Sequence, residues 1–147
     1  MADTSQQQLQ KIYSEIMDDM EFNGDIVKYC GTKNDKEQIV IRLMNLNFLV
    51  FSGGFGEWYI KGFEKMFQET VGNLRTLAEK GMEEELKKIR VIVKEAHDTL
   101  IKRPKNKESE EYDNWTDEMM AIDDKYYDVM IEKEDAFHDL LLNYYNG

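Results

Sequence analysis

From Ile39 to Phe51 the chain is apolar on nearly every side. Ile39, Val40, Ile41, Leu43, Met44, Leu46, Phe48, Leu49, Val50 and Phe51 leave no continuous polar face. A helix of that kind is stable when other helices wrap it, so the run predicts a central helix surrounded by amphipathic ones. Its β-branched residues keep a buried strand open for positions 38–43, but the length of the run favours helix. Asn34 followed by Glu37 resembles a capping box at its start.

The flanking sequence has the matching amphipathic spacing. Leu9, Ile12, Tyr13, Ile16, Met17 and Met20 line one face of a first helix, capped by Thr4 or Ser5. Positions 22–33 read as a connection. Ser52, Gly53, Gly54, Phe55 and Gly56 break the pattern, and positions 57–62 resume it as a short aromatic turn. Phe63, Met66, Phe67, Val71, Leu74 and Leu77 mark another helix that ends near a Gly81 cap. Leu86, Ile89, Val93, Ala96 and Leu100 form the next, with Glu83, Glu84 and Glu85 at its start and Lys102 and Arg103 at its end, as the helix dipole favours. Positions 104–113 are a polar loop. From Asn114 to about Tyr145 the pattern allows one long helix or two, with Trp115, Met119, Ile122, Tyr126, Met130, Phe137, Leu140, Leu141 and Tyr144 inward. No strand alternation persists and no repeat appears. The expectation is an all-α chain: one helical domain over 1–147, a bundle of about five to seven helices around the central apolar one.

A chain of 147 residues can bury a sizeable core without staples. The single Cys30 rules out an internal disulfide. The first residues contain no apolar signal core, and no stretch approaches the roughly 18 apolar residues of a membrane span, so a cytoplasmic location with no membrane partner is expected. The net charge of −11 argues against direct binding to nucleic acid or to anionic lipid.

That charge is polarised. Residues 1–79 are net −4, residues 80–107 are net +4 and residues 108–147 are net −11. In the last segment Asp117, Asp124, Asp128, Glu132, Asp135 and Asp139 are spaced by seven, four, four, three and four positions. On one continuous helix they form a stripe about 33 Å long, opposite the apolar face. Neighbouring carboxylates lie roughly 5–6 Å apart, near the spacing of phosphates along a nucleic-acid strand. Only Lys125 and Lys133 are close enough to relieve them. A solvated face accounts for such a stripe. So does a binding surface steering in a basic partner, of which imitation of DNA is one form.

Catalytic constellations are absent. His97 and His138 are the only histidines, and read as ordinary helix-surface residues. Asp135 and His138 stand one turn apart, a spacing metal sites use, but no second such motif completes a site, and no metal or other cofactor is expected. Cys30 has only Lys28 and Lys33 near it to activate a thiolate. The glycines at 53–56 lack the lysine and hydroxyl residue of a P-loop. Carboxylate pairs mean little in so acidic a chain. The chain is expected not to be an enzyme. Trp58, Tyr59 and Phe63 read as core rather than as an interface anchor.

The run from Phe51 to Tyr59 resembles the signature of a bacterial family of small helical proteins typified by a DNA mimic. That signature reads roughly Asn-Gly-Gly-Phe, any residue, Gln, then two aromatics. Gly53, Gly54, Phe55, Trp58 and Tyr59 match it, while Ser52 and Glu57 depart at the two polar positions. Leu74, Arg75, Thr76 and Leu77 with Gly81 resemble the family's leucine-rich turn. Asp124, Tyr126 and Tyr127, then Leu140 to Tyr145, resemble its closing helix. The similarity spans residues 36–146, leaving 1–35 as an N-terminal helix and connection. The resemblance implies an all-helical fold, a homodimer and an acidic surface that keeps a DNA-binding regulator from its site. It implies a structural role for the glycine motif itself.

Two binding functions stand beside an enzyme of unrecognised type, which needs a pocket containing His138 or His97 with convergent acids, and a helical domain whose acidic face is only solvated. The first is an acidic interaction protein whose six-carboxylate stripe engages a basic, DNA-binding partner. The second is an inhibitor or immunity-type protein that grips one partner by an apolar surface with an acidic rim, anchored by Trp115 or by the Tyr126–Tyr127 pair.

Overall fold

Four helices begin at a side chain that caps them. Thr4 and Gln7 form a reciprocal capping box at the start of α1 (Ser5–Ile16), and Asp25 caps the short α2 (Ile26–Gly31). Asn34 and Glu37 form the box predicted for α3 (Asp35–Ile60), and the Ser109 hydroxyl accepts from the Tyr112 N–H at the start of α6 (Glu110–Met130). Each cap satisfies a backbone N–H left without a partner by the first turn, worth about 1 kcal/mol. The remaining elements are a 3₁₀ turn at Phe63–Met66, α4 (Phe67–Ala78), α5 (Glu83–Leu100) and α7 (Glu134–Asn146). This computed structural model describes residues 3–18 and 24–147, and among them there are seven α-helices and no strand. The all-α expectation holds; Met20, and Phe22 and Asn23 of the predicted connection, lie outside the described residues.

Helix α3 is the centre, packing against each of the six other helices. Val40, Ile41, Leu43, Val50, Phe55 and Trp58 are fully enclosed, at roughly 1.5–3 kcal/mol of transfer free energy for each large side chain. By length and composition α3 is also apolar enough to cross a membrane, which corrects the expectation that no stretch comes near. Within this fold 56% of its apolar window is buried against the other helices. Phe48 is an exception in the middle of this helix, 67% exposed, and Tyr59 and Ile60 at its C-terminal end are exposed as well.

Several local expectations are revised. The connection at 22–33 contains α2. The glycine run does not end α3; the helix bends at Gly54 (φ 75°, ψ −177°) and continues through Trp58 to Ile60. Helix α4 stops at Ala78, and the left-handed residue before α5 is Met82 rather than Gly81. Trp58 and Phe63 are core as expected, whereas Tyr59 is exposed. The segment from Asn114 to Tyr145 is two helices. Lys133 leaves helical geometry (φ −118°, ψ 2°), and α7 turns away to pack mainly on α1 while α6 lies against α5 and α3.

Candidate functional site

The bend in α3 is a built feature of the fold. The amide of Phe55 has lost its intrahelical partner at the bend and donates to Oδ1 of Asp123 on α6, at 2.8 Å. A carboxylate from a distant helix thus caps the second limb of α3. The Asp123 carboxylate sits so close to Gly54 that a Cβ there would lie 2.2 Å from Oδ2. Burial pushes the Asp123 pKa up; the Phe55 N–H opposes that rise, and the neighbouring Asp124 adds to it. Around the bend, Phe55 meets Trp58 and Tyr126 edge to face, and Phe51 lies against Tyr126 and Tyr127. The glycine motif is structural, as the sequence suggested. Asp123 was missed, yet it stands four residues after Met119 and three before Tyr126, at the edge of the inward face.

A second polar link joins α3 to the break between α6 and α7. The Tyr126 hydroxyl donates to Asn47 Oδ1 at 2.9 Å, and Asn47 Nδ2 donates to Glu134 Oε1 at 2.9 Å. Both Tyr126 and Asn47 are buried, and the phenol pKa is driven well up by burial and then by Glu134. The anchors proposed for an apolar interface are therefore occupied. Tyr126 is enclosed, Tyr127 is half-buried with its hydroxyl on the Val50 carbonyl, and Trp115 is half-buried with its indole N–H on the Thr99 carbonyl at 2.7 Å.

All six acidic residues singled out are exposed. Asp117, Asp124 and Asp128 share one face of α6, Glu132 lies in the intervening turn, and Asp135 and Asp139 stand on α7. The break divides the single stripe into two short rows on different axes. Among the described residues none of the six is in an ion pair; Asp139 accepts a hydrogen bond from the Ser5 hydroxyl. The two lysines near enough to neutralise them point elsewhere, Lys125 to Glu95 of α5 at 2.7 Å and Lys133 to Glu85 of α5 at 3.9 Å.

The histidines divide. His97 is stacked on Phe67, with ring centroids 3.6 Å apart, and its Nδ1 meets Glu64. His138 is 5% exposed, not the surface residue expected, and does not converge with the exposed Asp135. Burial lowers its pKa, against the opposing pull of Glu134, Asp135 and Asp139. Cys30 is enclosed and its thiol pKa is raised by burial. Arg42 is buried, with Gln38 and Asn73 amides as partners. Among the described residues no three His, Cys, Asp or Glu side chains are grouped to hold a metal ion.

Helix α5 is flanked by two shallow grooves. Toward α6, a groove of about 720 Å³ has Val91, Ile92 and Val129 as its apolar part and Glu84, Lys87, Lys88, Glu95, Lys125 and Asp128 around it; Lys87 and Val91 stand on the ridge it shares with the second groove. Toward α4, a smaller one of about 370 Å³ is lined by apolar and basic side chains. No protein-family model, curated protein or solved structure matches this chain.

Proposed function

We propose that the chain is an acidic, non-enzymatic interaction protein whose α6–α7 face binds a basic partner, with occupation of a DNA-binding protein's DNA site as its specific form. The observation that carries this reading is the fate of the two nearby lysines. Lys125 and Lys133 are directed onto α5, so the six carboxylates face solvent without compensation from their own segment. Uncompensated charge of one sign on one face raises the rate and selectivity with which an oppositely charged partner is captured. The resemblance at the glycine motif points the same way. The split stripe alters the geometry of the mimicry: contacts come from the α6 row and the α7 row separately, not from one 33 Å line.

Capture from host lysate on immobilised protein tests this. Elution by moderate salt is expected, because the Debye length falls from ~10 Å at 0.1 M to ~3 Å at 1 M. Duplex DNA should displace the same partner. The triple variant Asp124→Lys, Asp128→Lys, Glu132→Lys should lower affinity by about tenfold or more with helix content unchanged. A partner that survives high salt and ignores both DNA and the triple variant overturns the reading.

The α5–α6 groove favours a second reading, an inhibitor or immunity-type protein gripping its partner by Val91, Ile92 and Val129. In that case Val129→Asp should weaken binding more than the charge reversals do.

A further inference from the structure

The groove between α4 and α5 has the opposite character to the acidic face of α6 and α7. Lys87, Arg90 and Lys94 project from α5 at positions i, i+3 and i+7, and Arg75 faces them from α4. Phe67, Val71 and Val91 form the apolar part between, with Val91 61% exposed. Among the described residues no carboxylate lines this groove, although the chain contains thirty Asp and Glu. None of the four cations takes part in an ion pair among the described residues. Like charges three and four positions apart weaken a helix, so the succession Lys87, Arg90 and Lys94 carries a local cost.

We infer that this groove is a docking site for an acidic amphipathic helix of a partner protein. Charge and spacing select the occupant. The three α5 cations span about 10.5 Å along the axis, the rise between carboxylates at i and i+7 of a helix laid beside α5. Val91 between them meets an apolar stripe on the same helix, the arrangement of helix-in-groove recognition. Nucleic acid fits less well. One face of Phe67 is already covered by His97 and among the described residues no second aromatic lines the groove, so it offers no stacking platform. The inference does not rest on the acidic face of α6 and α7, whose residues lie outside this groove.

The test is fluorescence anisotropy with a labelled helical peptide of Leu, Ala and Glu that places Glu at i, i+3 and i+7 beside a Leu stripe. Binding is expected to fall about tenfold in the Lys87→Glu, Arg90→Glu variant and comparably in Val91→Asp. It should change less than about twofold in the control Lys102→Glu, Lys105→Glu, whose residues lie in the loop before α6. Lys87, Val91, Lys102 and Lys105 are exposed and Arg90 is half-buried, and circular dichroism checks that helicity is retained. Absence of binding, or equal binding of a scrambled peptide of the same composition, overturns the inference. So does equal or tighter binding of a single-stranded oligonucleotide that displaces the peptide. Self-association in sedimentation that is lost in the Lys87→Glu, Arg90→Glu variant would assign the groove to a second copy and overturn the partner assignment.

Discussion

The chain interrupts its helices twice in ways that matter for its surface, and the two interruptions are built differently. At Gly54 the backbone enters a region that other residues avoid, and Asp123 holds it there through the Phe55 amide. At 131–133 there is neither glycine nor proline. Ile131, Glu132 and Lys133 have ordinary helix propensity, and the turn exists because Glu134 reaches Asn47 and because Phe137 and Leu141 pack into the core. The first interruption is held by a local conformational requirement, the second by tertiary partners. The first aligns the aromatic core; the second divides the acidic surface.

Replacing Gly54 should have the largest effect on stability. Gly54→Ala adds a Cβ into the Asp123 carboxylate on a backbone with positive φ, and should destabilise by about 3 kcal/mol or more in chemical unfolding. Gly56→Ala is its control, since a Cβ there meets nothing within 4 Å and lies in helical backbone. It should be neutral or stabilising by up to about 1 kcal/mol. Equal losses in the two variants would mean that the bend is not what Gly54 supplies.

The second interruption should respond to Asn47. Asn47→Ala leaves the buried Tyr126 hydroxyl without its acceptor and releases Glu134, for a loss of about 1–3 kcal/mol. Loss of less than about 0.5 kcal/mol would show that apolar packing alone sets the break.

The finest distinction is in pH dependence, where the two regions should move in opposite directions. Folded Asp123 holds its proton more readily than the unfolded residue. Its contribution is fully present below the ordinary value of 3.8 and is lost as pH rises through its raised pKa. Folded His138 takes a proton less readily. Its contribution is present above the ordinary 6.5 and is lost as pH falls toward its lowered pKa. Unfolding free energy measured across pH should therefore lose its acid-side gain in Asp123→Asn and its acid-side loss in His138→Gln. Curves parallel to the parent in both variants would sink this assignment.

Much of the fold was legible because its signals are local. The Asn34–Glu37 box, the all-round apolar run of α3 and the acidic first turn of α5 each depend on residues within a few positions of one another. The candidate surface was legible in part. Exposure of Asp117, Asp124 and Asp128 follows from their phase opposite Met119, Ile122 and Tyr126, and that of Asp135 and Asp139 from theirs opposite Phe137 and Leu141. Met130 and Phe137 are seven residues apart and would share a face on a straight helix too, so periodicity gave no sign of the break between them. The basic groove escaped notice because Arg75 and the α5 cations belong to different helices.

By itself the sequence determined the helical class, the central place of α3, an interruption somewhere in its glycine run and the polarity of charge along the chain. Each follows from side-chain periodicity, from capping chemistry or from a residue without a Cβ. Only the tertiary structure decided that Asp123 turns inward while Asp124 faces water, that α7 leaves the axis of α6, and that Lys125 and Lys133 abandon the acidic rows for α5. The partners that impose those choices lie on other helices, between about 30 and 90 positions away, and their proximity exists only once α3 has gathered the bundle around it.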